Sequence, residues 1–197
     1  MQFRSTILIL PGLGNSGEGH WQTLWQEQFG FKRIEQSEWD APVCDTWIDT
    51  IDAEVMKHDL NDVILVGHSL ANTTVASWAK KYNRKIKGAL LVAPSDTEAE
   101  SYPPGTTGFM PMSLNKLPFP SITVMSENDF YVTTERAKYF ASCWESKLVN
   151  IGNAGHINVA AGYGKWDEGL IYLKQLDEGL SFSEELAAAS FIANTEL

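Results

Sequence analysis

Hydrophobic positions along this chain fall into two alternating patterns. Short, unbroken apolar runs at Thr6 to Leu10, Val63 to Val66, Ala89 to Ala93, Ile122 to Met125 and Leu148 to Ile151 read as buried strands. A weaker, more polar run lies near Phe31 to Gln36. Between these runs, helical periods extend over His20 to Phe29, Asp45 to Met56, Asn72 to Tyr82, Thr134 to Trp144 and Trp166 to Leu176. Trp47, Ile51 and Val55 form one apolar stripe, and Ala71, Val75, Trp78 and Tyr82 form another. Fully apolar strands joined by helices predict a mostly parallel sheet covered on both faces, because each crossover returns the chain to the same sheet edge. The weak run carries Lys32, Arg33 and Glu35, which suits an edge strand. In such α/β sheets the chemistry gathers on loops at the carboxyl ends of the strands.

Pro94 to Pro120 has no clear period and clusters Phe109, Met110 and Met112 near its middle, so it reads as a binding loop or a cover over the site. Beyond Gly179, Ser181 to Glu184 reads as a capping box that opens an Ala-rich acidic helix. No repeat or linker divides the 197 residues, which predicts one domain over 1–197 without a separate lid domain.

Composition removes several classes of function. With 15 basic against 25 acidic residues the net charge is −10, so the mean field repels polyanions and disfavours nucleic acid and strongly anionic substrates. Cys44 and Cys143 are too few for a disulfide framework and lack metal-ligand spacing. No apolar run approaches the ~20 residues of a membrane span, and the first apolar block is too short for a signal-peptide core. A cytoplasmic protein with no membrane, metal or organic cofactor is the expectation, and nothing specifies a protein partner.

The most informative stretch is Val63 to Asn72, where an apolar strand runs into Gly67-His68-Ser69-Leu70-Ala71 and then at once into a helix. A serine projected from so sharp a turn crowds its neighbours, so only small residues fit two positions on either side. The backbone N–H of Leu70, at the helix start, then points where negative charge develops on a carbonyl oxygen. A serine hydroxyl needs a base, usually a histidine oriented by a carboxylate, and on such an elbow the order is serine, acid, histidine. Of the four histidines only His156 follows Ser69, on a loop just past the strand ending at Ile151. His68 is adjacent to the serine and reads as a packing or loop-positioning residue at the pocket. His58 sits on a polar helix end. Asp96 and Asp129 each follow a strand, and Asp129 is preferred because it lies one βα unit before His156; Glu127 follows its strand too closely to reach across.

Pro11 to Gly17 contains a literal Gly-x-Gly-x-x-Gly, with Glu35 at about the ~20-residue spacing of a dinucleotide ribose ligand. A dinucleotide fold starts its helix within the glycines, whereas here Glu18-Gly19-His20 delay it to Trp21. The same loop can instead bring a second N–H to an oxyanion, with Leu13 as the candidate donor and Gly14 close behind.

These segments resemble the α/β-hydrolases, specifically small lidless serine hydrolases similar to retinoblastoma-binding protein nine. The resemblance rests on Leu10-Pro11-Gly12 through His20-Trp21-Gln22, Gly67-His68-Ser69, Asn128-Asp129 with Tyr131-Val132, and Gly155 to Asn158 ahead of Gly164-Lys165-Trp166. It implies Ser69 as nucleophile, Asp129 as orienting acid and His156 as base on a six-stranded three-layer sheet. Leu70-Ala71 replaces a smaller pair at the elbow. The nearest segment to a Leu-x-Cys-x-Glu partner motif is Ala141 to Glu145, inside an expected helix, so pocket-protein binding is not carried over. The expectation is a serine hydrolase acting on a small ester, thioester or amide through an acyl-enzyme, with Phe109, Met110, Tyr131, Gly14 and His68 as candidate pocket residues. A catalytically weak or inactive interaction protein on the same fold is the alternative. A histidine base works in its neutral form, so activity should fall in acid.

Overall fold

The structure, a computed structural model, describes residues 1–179, and the expected capping box at Ser181 lies outside them. Strands β1 (Thr6–Leu10), β2 (Lys32–Arg33), β3 (Val63–His68), β4 (Gly88–Val92), β5 (Ser121–Met125) and β6 (Lys147–Asn150) pair in the order β2-β1-β3-β4-β5-β6. Every pairing is parallel. The central strands β3, β4 and β5 are buried along their whole length, as their unbroken apolar runs require. The edge position of the weak run is as expected, but only two residues of Phe31 to Gln36 pair. After the Ile34 N–H donates to the Ile9 carbonyl at 2.9 Å the chain leaves the sheet, and the Gln36 amide turns to the Trp47 carbonyl at 3.2 Å.

Helices α1 (Trp21–Phe29) and α5 (Asp167–Glu178) cover one face of the sheet, and α2 (Cys44–Val55), α3 (Leu70–Tyr82) and α4 (Thr134–Trp144) cover the other. On the first face Trp21, Trp25, Leu170 and Leu173 pack on Ile7, Ile64, Leu90 and Ile122. On the second, the Trp47–Ile51–Val55 stripe and Val75, Trp78, Phe140 and Trp144 pack on Leu8, Leu65 and Leu91. This is the three-layer α/β-hydrolase arrangement. Local chemistry sets the helix ends: the His20 ring accepts the Gln22 N–H, the Thr133 hydroxyl accepts the Arg136 N–H, and α1 stops at Gly30 in the left-handed region.

The 94–120 stretch contains no regular helix or strand and folds back over the α2 side of the sheet. Phe109 is 2% exposed and meets the Trp47 ring at 6.0 Å, and Met112, Leu117 and Phe119 join the same core. Met110 is 64% exposed. The apolar cluster in the middle of this loop is therefore an anchor plus one surface side chain, because burying the loop's apolar residues is what fixes so long a connection.

Candidate active site

The turn between β3 and α3 has the strained geometry that its sequence implies. Ser69 sits at φ 59° and ψ −124°, outside the ordinary regions for an L-residue, at an expected cost of ~1–3 kcal/mol. Its surroundings hold it there. The Ser69 N–H donates to the Val92 carbonyl at 3.0 Å, and the Asn72 side chain donates to that same carbonyl at 2.7 Å, tying the elbow to β4. A Cβ on Gly67 would fall 2.6 Å from Asn72 Oδ1, so glycine is needed to seat that amide. The same Cβ would lie 3.6 Å from the Ala71 methyl, an ordinary contact, so the crowding at Gly67 comes from Asn72 and not from Ala71. Gly12 is crowded from the other side: a Cβ there would come within 2.7 Å of the His68 carbonyl, 2.9 Å of Ser69 Cβ and 3.1 Å of the Leu70 nitrogen.

Leu70 opens α3, so its N–H has no carbonyl four residues back to receive it. The Leu13 N–H makes no hydrogen bond among the described residues, and Leu13 lines the cavity above Ser69. Gly14 donates its N–H to the Trp39 carbonyl at 2.9 Å and does not line that cavity. It is thereby removed as a donor and as a pocket residue.

The loops after β5 and β6 bring Asp129 and His156 together. His156 Nδ1 donates to Asp129 Oδ2 at 2.8 Å, with Oδ1 at 2.9 Å, and the Asp129 carboxylate is fully enclosed. Backbone and side-chain bonds lock the two loops: the Ala154 N–H donates to Ser126 Oγ at 2.9 Å, and the Gly155 N–H donates to Asn128 Oδ1 at 2.7 Å. Asp96, the other candidate acid, is held by Arg136 through Nε at 2.7 Å and Nη2 at 3.0 Å. Glu127 stays at its strand end, accepting from the Asn150 amide at 2.7 Å.

The histidine loop is clamped from the opposite face. His68 Nε2 donates to the His156 carbonyl at 2.9 Å, and Trp21 Nε1 donates to the Ile157 carbonyl at 2.8 Å. Ile157 needs this help, since its φ of 47° is unfavourable for a β-branched residue. The rings of His20 and His68, and of His68 and His156, lie 4.8 Å apart, and the Tyr131 ring lies 4.6 Å from His156. Burial, followed by the neighbouring His156 and His20, pushes the His68 imidazole well below its usual pKa. Burial, with lesser effects of Arg33 and His156, lowers His20 to about 4. Both rings are neutral near pH 7.

One site residue had no signal in the sequence. Ser95, just past the left-handed turn at Ala93, lies 2.8 Å from Ser69 through the two hydroxyl oxygens. No hydrogen bond joins Ser69 Oγ to the His156 ring among the described residues. A serine preceding an aspartate in a loop reads as a turn residue, and only the β3–β4 pairing shows that it faces the elbow.

Ser69, Ser95, His68, His156 and Tyr131 line a cavity of about 170 Å³ together with Asn15, His20, Tyr102 and Asn158. Phe109 and Met110 lie outside it, for the packing reasons given above. The late start of α1 at Trp21 also leaves the glycine loop in extended and turn conformations, unlike a dinucleotide-binding motif.

This fold and elbow define the α/β-hydrolase class. The family profile described as serine hydrolase matches residues 7–175, and the chain belongs to that family of enzymes. A crystal structure described as a YdeN-like hydrolase from Pectobacterium atrosepticum is 34% identical with a TM-score of 0.77, covering 88% of this chain and 90% of that one. The ydeN gene product of B. subtilis is 18% identical with a TM-score of 0.69, covering 86% and 97% of the two chains. Est1E from Butyrivibrio proteoclasticus, solved with ferulic acid bound, is 16% identical with a TM-score of 0.61, covering 85% and 89%. The last two likenesses concern the fold alone. No curated protein matches the chain, so the narrower resemblance to retinoblastoma-binding protein nine gains no support. Among the described residues no helix is long and apolar enough to cross a membrane.

Proposed function

We propose that this serine hydrolase cleaves a small-molecule ester, thioester or amide through an acyl-enzyme on Ser69, with His156 as base and Asp129 as its orienting acid. The observation that carries the reading is the 2.8 Å bond from His156 Nδ1 to an enclosed Asp129 carboxylate at the same sheet end as the strained Ser69. Because Nδ1 carries the proton shared with Asp129, the neutral ring has its lone pair on Nε2, the atom that must accept the serine proton. Attack of Ser69 Oγ on the substrate carbonyl forms the Oγ–C bond as the proton passes to Nε2, and the resulting oxyanion is met by the free N–H groups of Leu13 and Leu70. His156 then returns the proton to the leaving group, and water repeats the sequence to release the acid. The Ser95 hydroxyl acts as donor to Ser69 Oγ in this scheme, which leaves the serine's own proton for His156.

The test is hydrolysis of a panel of p-nitrophenyl esters and thioesters by wild type and Ser69→Ala. Wild type turns over with saturation kinetics, and the variant retains about 10⁻³ of kcat or less. Absence of wild-type turnover across the panel, or a fully active variant, contradicts the proposal; the first result fits a non-catalytic binding protein on the same fold.

A further inference from the structure

Three polar side chains lining the cavity above Ser69 have hydrogen-bonding roles that can be read from their own partners. Asn15 and Asn158 both line it. Asn15 Oδ1 accepts from the Ser16 N–H at 2.7 Å and from Arg33 Nη1 at 2.5 Å. Asn158 Oδ1 accepts from the Ala161 N–H at 3.1 Å. A backbone N–H can only donate, so each amide is oriented with its oxygen toward the protein. Among the described residues the –NH₂ end of each has no protein partner. His20 repeats the pattern: Nδ1 accepts the Gln22 N–H at 3.2 Å, so the proton of the neutral ring sits on Nε2. His20 is 6% exposed and its Nε2 has no hydrogen-bond partner among the described residues, so it is a buried donor still unsatisfied. Tyr102 adds a hydroxyl that burial keeps protonated.

Three side chains thus spend their acceptor atoms on the protein and keep their donors. From this pattern, and resting on the hydrolase reading above, we infer that the site takes short, uncharged acyl groups that carry a hydrogen-bond acceptor near the scissile carbonyl, such as an ether, keto or amide oxygen. Size points the same way, since about 170 Å³ falls below the usual ~300–1,000 Å³ of drug-sized ligand sites, so the part of a substrate enclosed beside Ser69 is small. Among the described residues no Lys or Arg lines the cavity, and Arg33 behind Asn15 is already bonded to Gln26, Asn15, Ser16 and Thr23. A carboxylate on the acyl group would lose its hydration there with no countercharge to replace it.

The test compares two isosteric esters, p-nitrophenyl methoxyacetate and p-nitrophenyl butyrate, which differ by an ether oxygen in place of a methylene. Each kcat/KM is normalised to the ester's rate with hydroxide, which removes the intrinsic activation by the oxygen. Wild type should prefer methoxyacetate by about tenfold, the effect of one neutral hydrogen bond. Asn15→Asp and Asn158→Asp keep the accepting oxygen that holds the loop and turn the exposed donor into an acceptor. Either should cut that preference severalfold, with a far-ultraviolet circular dichroism spectrum like wild type. Equal or faster normalised hydrolysis of butyrate overturns the inference while the hydrolase reading stands. So does a preference untouched by both substitutions, or faster turnover of p-nitrophenyl hemisuccinate than of methoxyacetate. Failure on these three esters, with other esters of the panel hydrolysed and Ser69 labelled by a fluorophosphonate, overturns this inference alone; failure on every ester with no labelling overturns the hydrolase reading beneath it.

Discussion

Replacing Gly12 with alanine tests the proposed oxyanion site with a single methyl. The added carbon would lie 2.7 Å from the His68 carbonyl oxygen, 2.9 Å from Ser69 Cβ and 3.1 Å from the Leu70 nitrogen. Two of these three neighbours are backbone atoms of an elbow already held at an unfavourable φ, so no flexible side chain can swing away. Relief requires the glycine loop and the elbow to part by several tenths of an ångström. That separation moves Leu13 away from Ser69, and the methyl itself sits against the Leu70 N–H. Loss of one preorganised oxyanion donor costs about 10²–10³ in kcat, and overpacking costs about 1–3 kcal/mol in stability. Gly12→Ala should therefore lower kcat about 100-fold with a smaller change in KM, measured by initial rates on an active p-nitrophenyl ester. Gly17→Ala, in the same loop, is the control: its added carbon meets nothing within 4 Å, and it should keep near-normal kinetics and melting temperature. A Gly12→Ala enzyme with kcat within threefold of wild type and unchanged stability would refute the reasoning.

Other outcomes follow from the same contacts. Asp129→Asn leaves the loop packing in place but lets the imidazole take the wrong tautomer, so kcat should drop by about 10³–10⁴ with little effect on the melting temperature. Trp21→Phe keeps most of the ring but removes the donor to the Ile157 carbonyl at 2.8 Å, so kcat should fall while ester KM stays near wild type. Asp177 is 2% exposed and joins α5 to the start of β1, accepting from the Ser5 N–H at 2.9 Å, Ser5 Oγ at 2.7 Å and Lys174 Nζ at 2.8 Å. Despite the opposing effect of burial, these bonds lower its carboxyl from 3.8 to about 2, which stabilises the folded chain by roughly 2–3 kcal/mol at neutral pH. The group is depressed, so its contribution is complete above the unfolded value and is lost as pH falls from about 4 towards 2. Urea titrations of Asp177→Asn should show that deficit at pH 7, and the difference from wild type should shrink below pH 3.

Much of this architecture was legible because it depends on local apolar pattern. Runs such as Val63 to Val66 have no polar face, which suits the middle of a parallel sheet, and Gly67-His68-Ser69 between such a run and a helix suits an elbow better than an ordinary helix cap. His156 followed from order along the chain. What escaped depended on contacts far apart in sequence. Position one βα unit before His156 favours Asp129 over Asp96, but only Arg136 at 2.7 Å shows that Asp96 is already paired. Phe109 looked like a pocket residue because an aperiodic loop gives no hint of which apolar side chains it buries, and it packs instead against Trp47. Ser95 carries no motif at all, and its place beside Ser69 arises from two neighbouring strands ending at the same level. The donors of Asn15 and Asn158 were equally hidden, since the orientation of an amide is decided by its partners.

The most direct test of the account is site-resolved labelling by a fluorophosphonate probe, read by mass spectrometry of the digested protein. The account expects one adduct, on the peptide carrying Ser69, formed quickly in wild type, slowly in Asp129→Asn and not at all in Ser69→Ala. An adduct on another residue, or no adduct on wild-type protein that is folded by circular dichroism, would contradict it.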